Sequence, residues 1–141
     1  LAVLLRCLDD ELWTMRGDKG RTVIGLLYGL VSKTRSLLFA REMISAGWVR
    51  PGGRYPEFKT QLERVPDDAF PKERRINPLS LNPYVLFRAA DQARNWTRDE
   101  LIRALELLLT CNRRLVSSSL DNAFILQQTL AQILARDKAV A

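Results

Sequence analysis

Apolar residues recur along most of the chain with the 3.6-residue period of an amphipathic helix, and no run alternates with the period of two expected of a half-buried strand. Over residues 1–16, Leu1, Leu4, Leu5, Leu8 and Leu12 share one face and Arg6, Asp9, Asp10 and Glu11 occupy the rest. Gly17 follows as a suitable left-handed stop. Over residues 21–46, Val23, Leu26, Leu27, Leu30, Val31, Leu37 and Leu38 keep the period through many turns, and Gly47 ends it. Gly25 and Gly29 stand four apart, a spacing that predicts close approach of a neighbouring helix.

Residues 48–81 interrupt the pattern with Pro51, Gly52, Gly53, Pro56, Pro66, Pro71 and Pro78. Proline removes a backbone donor and disfavours helix just before it. Only residues 56–65 read as helical there, with Phe58 and Leu62 as an apolar pair. Asn82-Pro83 then restarts a helix, with Asn as cap and Pro at the first helical position. Its apolar face is Val85, Leu86, Ala89, Ala90 and Ala93, and it should end near residue 95.

The strongest local signal is Thr97-Arg98-Asp99-Glu100, a capping box flanked by Trp96 and Leu101 as a hydrophobic staple. It should start a helix running to about residue 116. Ser117-Ser118-Ser119-Leu120 breaks the chain, and Asp121 or Asn122 can cap a last helix bearing Ala123, Leu126, Leu130, Ile133 and Leu134 on one face. The expectation is an all-α protein, a single bundle of five or six helices in one domain of residues 1–141, with 48–81 as an irregular connection holding one short helix. No internal repeat at a fixed period is present.

The last two helices are apolar over an unusually wide arc. Leu101, Leu105, Leu108 and Leu115 form one face, Ile102 and Leu109 widen it on one side, and Leu107 on the other. Phe124 and Ile125 lie beside the main stripe of the final helix. A surface helix needs an apolar stripe of only about 100°. A wider arc marks either a central helix or a face meeting another chain. The second reading makes Ile102, Arg103, Arg113, Arg114, Phe124 and Ile125 the candidate subunit-interface residues.

Composition narrows the chemistry. The 141 residues include no histidine, so the commonest base and metal ligand is missing. Neither Cys7 nor Cys111 belongs to a metal-ligand pattern, and both read as buried thiols in a reducing, cytoplasmic setting. The carboxylate pairs Asp9-Asp10, Asp67-Asp68 and Asp99-Glu100 are adjacent in sequence, and neighbours on a helix diverge by about 100°. Gly17-Asp18-Lys19-Gly20-Arg21-Thr22 lacks the spacing of a phosphate-binding loop and reads as an interhelix turn. Asn95-Trp96-Thr97 matches a glycosylation sequon, but the cap explains Thr97 better. No catalytic residue, cofactor site or metal site is expected. Apolar runs such as Leu107-Leu108-Leu109 are soon broken by polar residues, so no membrane span is expected either. The net charge of +6 favours acidic partners, nucleic acid among them. Trp48, Arg50, Arg54, Tyr55, Phe58 and Lys59 interleave aromatic and basic side chains, either as a basic loop near nucleic acid or as a loop stapled down by its rings. The chain starts at Leu1 and reads as part of a longer protein.

The run Asn82-Pro83-Tyr84, then Gln92 through Leu101, then Arg103-Ala104-Leu105-Glu106-Leu107-Leu108, resembles the C-terminal region of bacterial DNA polymerase III delta subunits. Cys111 through Ser118 is similar to that family's continuation, with Asn112 where an acidic residue is usual. Leu26-Leu27 through Leu37-Leu38-Phe39-Ala40-Arg41-Glu42 resembles its long helix, with Arg35 and Arg41 at matching places. Residues 48–81 are longer and richer in proline than the family pattern. The resemblance implies a collar domain of the clamp loader, which supports loading of the sliding clamp during DNA replication. Its partners would be other clamp-loader subunits, with DNA contacted indirectly or weakly and no small-molecule substrate. The domain would have no reaction of its own, although its parent complex would be the DNA polymerase III holoenzyme. The alternative is a helical nucleic-acid-binding domain using the basic surface.

Overall fold

The computed structural model describes residues 19–72 and 77–135. Five α-helices follow in order: α1 (Lys19–Ser45), α2 (Tyr55–Glu63), α3 (Pro83–Ala93), α4 (Arg98–Ser117) and α5 (Asn122–Leu134). A single 3-10 turn, Pro78–Ser80, precedes α3. Every regular element among the described residues is therefore helical, as the hydrophobic period requires. The helix expected over 1–16, with Cys7 and the Asp9-Asp10 pair, lies outside the described residues.

Local chemistry sets the helix ends. α1 stops in a Schellman motif: the Gly47 N–H donates to the Ile44 carbonyl at 3.0 Å and the Trp48 N–H to the Met43 carbonyl at 3.1 Å. Gly47 sits at φ +76°, where a Cβ is unfavourable, so glycine at this position is a backbone requirement. α3 is capped by Asn82, whose Oδ1 accepts from the Tyr84 N–H at 2.9 Å. Asp121, of the two candidates, caps α5 by accepting from the Ala123 N–H at 3.0 Å. Pro56 and Pro83 fall in the first turns of α2 and α3, where a missing N–H breaks no helical bond.

The contacts gather into two compact units: Leu1–Ser32 with Arg103–Ala141, and Lys33–Ile102. In the first, Val23, Leu27 and Leu30 of α1 share a core with Leu108 and Cys111 of α4 and Ile125, Leu126 and Leu130 of α5. Leu26, Val31, Leu115, Ala123 and Ile133 pack against it. Thr129 is buried there too, its hydroxyl donating to the Ile125 carbonyl at 3.0 Å, which satisfies the group without a distant partner.

The second unit has its own core of Ala40, Met43, Val49, Phe58, Val65, Leu86, Ala89, Ala90 and Ala93. Three buried alanines on α3 give that helix a flat face, and Phe58 of α2 supplies the bulk opposite it. Rings extend the packing. Phe58, Tyr55 and Tyr84 surround Phe87 with centroids 5.5 to 6.0 Å away. Phe70 meets Phe39 edge-on at 5.8 Å and Trp48 at 6.0 Å. The proline-rich segment is thus built into this unit through Val49, Phe58 and Val65.

Two readings of α1 change. Gly25 and Gly29 were expected to admit a neighbouring helix, but a Cβ built on either meets no atom of the described residues within 4 Å. They lie on an exposed face with Ile24 and Tyr28, so the small residues here do not serve close packing. By length and composition alone, Val23–Ser45 is also apolar enough to cross a membrane. Its buried positions are divided between the two cores, Val23, Leu27 and Leu30 in one and Ala40 and Met43 in the other. Lys33, Arg35, Arg41 and Glu42 along it would also be costly in hydrocarbon.

Candidate functional site

The capping box forms as its spacing requires. The Glu100 N–H donates to Thr97 Oγ1 at 3.1 Å, and the Thr97 N–H donates to Glu100 Oε2 at 3.1 Å. It fixes the start of α4, and with it the register of the apolar arc. Leu101, Ala104, Leu108 and Cys111 are buried along α4, with Ile102, Leu105, Leu107 and Leu115 half-buried. Most of the wide arc is therefore covered within this chain. The exception is its outer edge and far end: Leu109 is exposed, and Val116 is 84% exposed.

The turn that follows continues this exposure. Leu120 is exposed between α4 and α5, and Phe124, in the first turn of α5, is 48% exposed. Val116, Leu120 and Phe124 thus present large apolar side chains at every fourth position from the end of one helix into the next. Ile24 and Tyr28 of α1 are exposed in the same compact unit.

The six sequence-derived interface residues divide in this structure. Phe124 is exposed. Arg113 is exposed, and Arg103 is exposed with Nη1 donating to the Gln132 carbonyl at 3.3 Å. Arg114 is half-buried, its Nη2 donating to Gln128 Oε1 at 3.2 Å, so part of its hydrogen-bonding capacity is used inside the unit. Ile102 is half-buried and belongs to the other unit. Ile125 must be corrected: it is 0% exposed, at the centre of the first core. The fully buried stripe of α5 is Ile125, Leu126, Thr129 and Leu130, and of the expected face Leu126 and Leu130 are core while Ala123 and Ile133 pack against it. Val116 and Leu120 were not singled out from the sequence. A valine ending a helix beside a serine-rich break was the available signal.

The other candidate groups have structural roles or none. Glu100 is engaged in the cap, while Asp99, Asp67 and Asp68 are exposed. Among the described residues no cluster of three or more Cys, Asp or Glu side chains could hold a metal ion. Cys111 is a buried free thiol. Lys19 to Thr22 fall in the first turns of α1, where no phosphate loop is formed. Burial, and after it repulsion from the Arg88 guanidinium, holds the Lys33 ammonium below its ordinary value of 10.5.

In the second unit, Gly47, Trp48, Arg50, Gln61 and Arg64 line a cavity of about 460 Å³. The Arg50 N–H donates to Gln61 Oε1 at 2.9 Å, which fastens the chain after α1 to α2. Of the interleaved aromatic and basic residues, Phe58 is core and Tyr55 packs against Tyr84, while Trp48 and Arg50 reach this cavity.

The class defined so far is an all-α protein with two helical units, one of which leaves large apolar side chains uncovered at a helix–turn–helix end. No family model, curated protein or solved structure matches the chain.

Proposed function

We propose that this chain is the collar, or oligomerisation, domain of a clamp-loader delta-type subunit, cytoplasmic and without a reaction of its own. Two things support the reading: the resemblance carried by residues 82–118 and the exposed apolar residues at the α4–α5 end. The observation that bears most weight is the exposure of Val116, Leu120 and Phe124 beside the buried core of the same unit.

Exposed leucines occur singly on most proteins. Here three are exposed in one short stretch, from the end of α4 into the first turn of α5. Complete burial of a Val, Leu or Phe side chain contributes roughly 1.5–3 kcal/mol, and half-exposed side chains retain a fraction of that for association. An obligate subunit contact buries on the order of 2,000 Å² or more, so these residues would be the centre of a larger face. Arg113 would serve at its polar rim, where Arg is common.

Co-purification tests the proposal. The chain, expressed within its full-length protein, should be recovered with other clamp-loader subunits. Val116→Asp with Phe124→Asp should abolish that recovery without lowering helicity. Recovery of an unchanged complex would reject this surface, and failure of the unaltered protein to associate would reject the reading as a whole.

A further inference from the structure

The cavity of the second unit has a chemistry that the collar reading does not use. Its lining is rich in donors. Arg50 and Arg64 contribute two guanidinium groups, and among the described residues neither makes an ion pair or a side-chain hydrogen bond. Gln61 spends its oxygen on the Arg50 N–H, leaving its amide NH₂ as a donor. Among the described residues no acidic side chain lines the space. The helix carbonyls that end nearby already accept from the chain: Ile44 and Met43 from Gly47 and Trp48, and Gln61 and Leu62 from Arg64 and Val65. The local balance therefore favours an anion.

The remaining wall is an indole. Trp48 is half-buried, packed in a T-shape with Phe70 at an interplanar angle of 77°, and it lines the cavity. Stacking on aromatics tolerates every base. Planar guanidinium forks match phosphate oxygens in pairs. The volume of about 460 Å³ falls within the range of roughly 300–1,000 Å³ typical of small-ligand sites.

We propose that this cavity is a nucleotide-phosphate site, in which Arg50 and Arg64 take the phosphate and Trp48 stacks on the base. The shared chemistry belongs both to a free nucleotide and to one residue of a single strand. The site lies within the second unit and is independent of the collar reading.

The test is fluorescence anisotropy of a labelled oligothymidylate against the 141-residue chain across a salt series. Arg50→Gln with Arg64→Gln should weaken binding by about tenfold or more, and should flatten the salt slope by about 0.7, the value for one phosphate on a single strand. Trp48→Leu should weaken binding by about tenfold with the slope unchanged, as expected for stacking. Both arginines are exposed, so the double variant should keep the wild-type melting curve. Competition by a mononucleotide would identify the free nucleotide as a ligand, and binding of the strand alone would identify the polymer. The proposal is overturned if the arginine double variant retains full affinity and slope. Competition by oligoglutamate as strong as by the mononucleotide, or no binding of either nucleic-acid probe at low salt, would overturn it equally.

Discussion

Thr97 and Glu100 satisfy each other's backbone N–H groups, each through its side-chain oxygen at 3.1 Å, and so fix where α4 begins. The reciprocal pair is exposed to solvent but holds two donors that the helix itself leaves without partners. Thr97→Ala removes one bond and should lower unfolding free energy by about 1 kcal/mol. Thr97→Ser should retain most of it. Urea denaturation followed by circular dichroism measures both, and equal stability of all three proteins would contradict the assignment.

Leu108 is a central residue of the first core and Phe58 of the second. Leu108→Ala should cost about 2–5 kcal/mol and Phe58→Ala about 3–5 kcal/mol, through lost transfer energy and the cavity left behind. Amide hydrogen exchange then gives a sharper reading. If the two units open separately, Phe58→Ala should lower protection chiefly within 33–102, and Leu108→Ala chiefly within α5.

Gly47 is required by its backbone conformation, not by crowding, since a Cβ there would meet no atom of the described residues within 4 Å. Gly47→Ala should therefore destabilise by about 1 kcal/mol, through the left-handed penalty alone. Gly25→Ala, on a helical and open position of α1, should stabilise by a similar amount, about 0.5–1 kcal/mol. Thermal melts of the two variants should shift in opposite directions.

Lys33 gives a pH dependence whose sign follows from its environment. Its folded pKa lies below 10.5, held down by burial first and Arg88 second. Between the folded pKa and 10.5 the unfolded chain binds more protons, so this group makes stability rise with pH through that window. Below the folded pKa the ammonium is charged in both states, and its penalty is fully present. Lys33→Met should raise the melting temperature at neutral pH and remove this alkaline gain. A melting temperature lowered by the substitution would mean that the ammonium is stabilised by a partner and not strained by burial.

Much of the secondary structure was legible from the sequence because its determinants are local. The pairs Asn82-Pro83 and Thr97-Glu100, the stop at Gly47 and the cap at Asp121 act within one turn of chain, so neighbouring residues suffice to place α3, α4, the end of α1 and the start of α5. The all-helical class followed from the period of apolar residues in the same way. The candidate site was legible only in part. The wide arc of α4 pointed to the α4–α5 end, where Phe124 is exposed but Ile125 beside it is core.

What the sequence alone determined is that the described segments are helical and, where a cap or stop is local, where they start or stop. Tertiary structure decided which side of each helix is inside. Adjacent residues of a helix differ by about 100° in direction, so the choice between Phe124 and Ile125 rests on where α1 and α4 lie. The same holds for the open glycine face of α1, the division into two cores, and the meeting of Arg50 with Arg64 around Trp48. Each of these depends on contacts between residues distant along the chain, and a local pattern of apolar and polar positions carries no record of them.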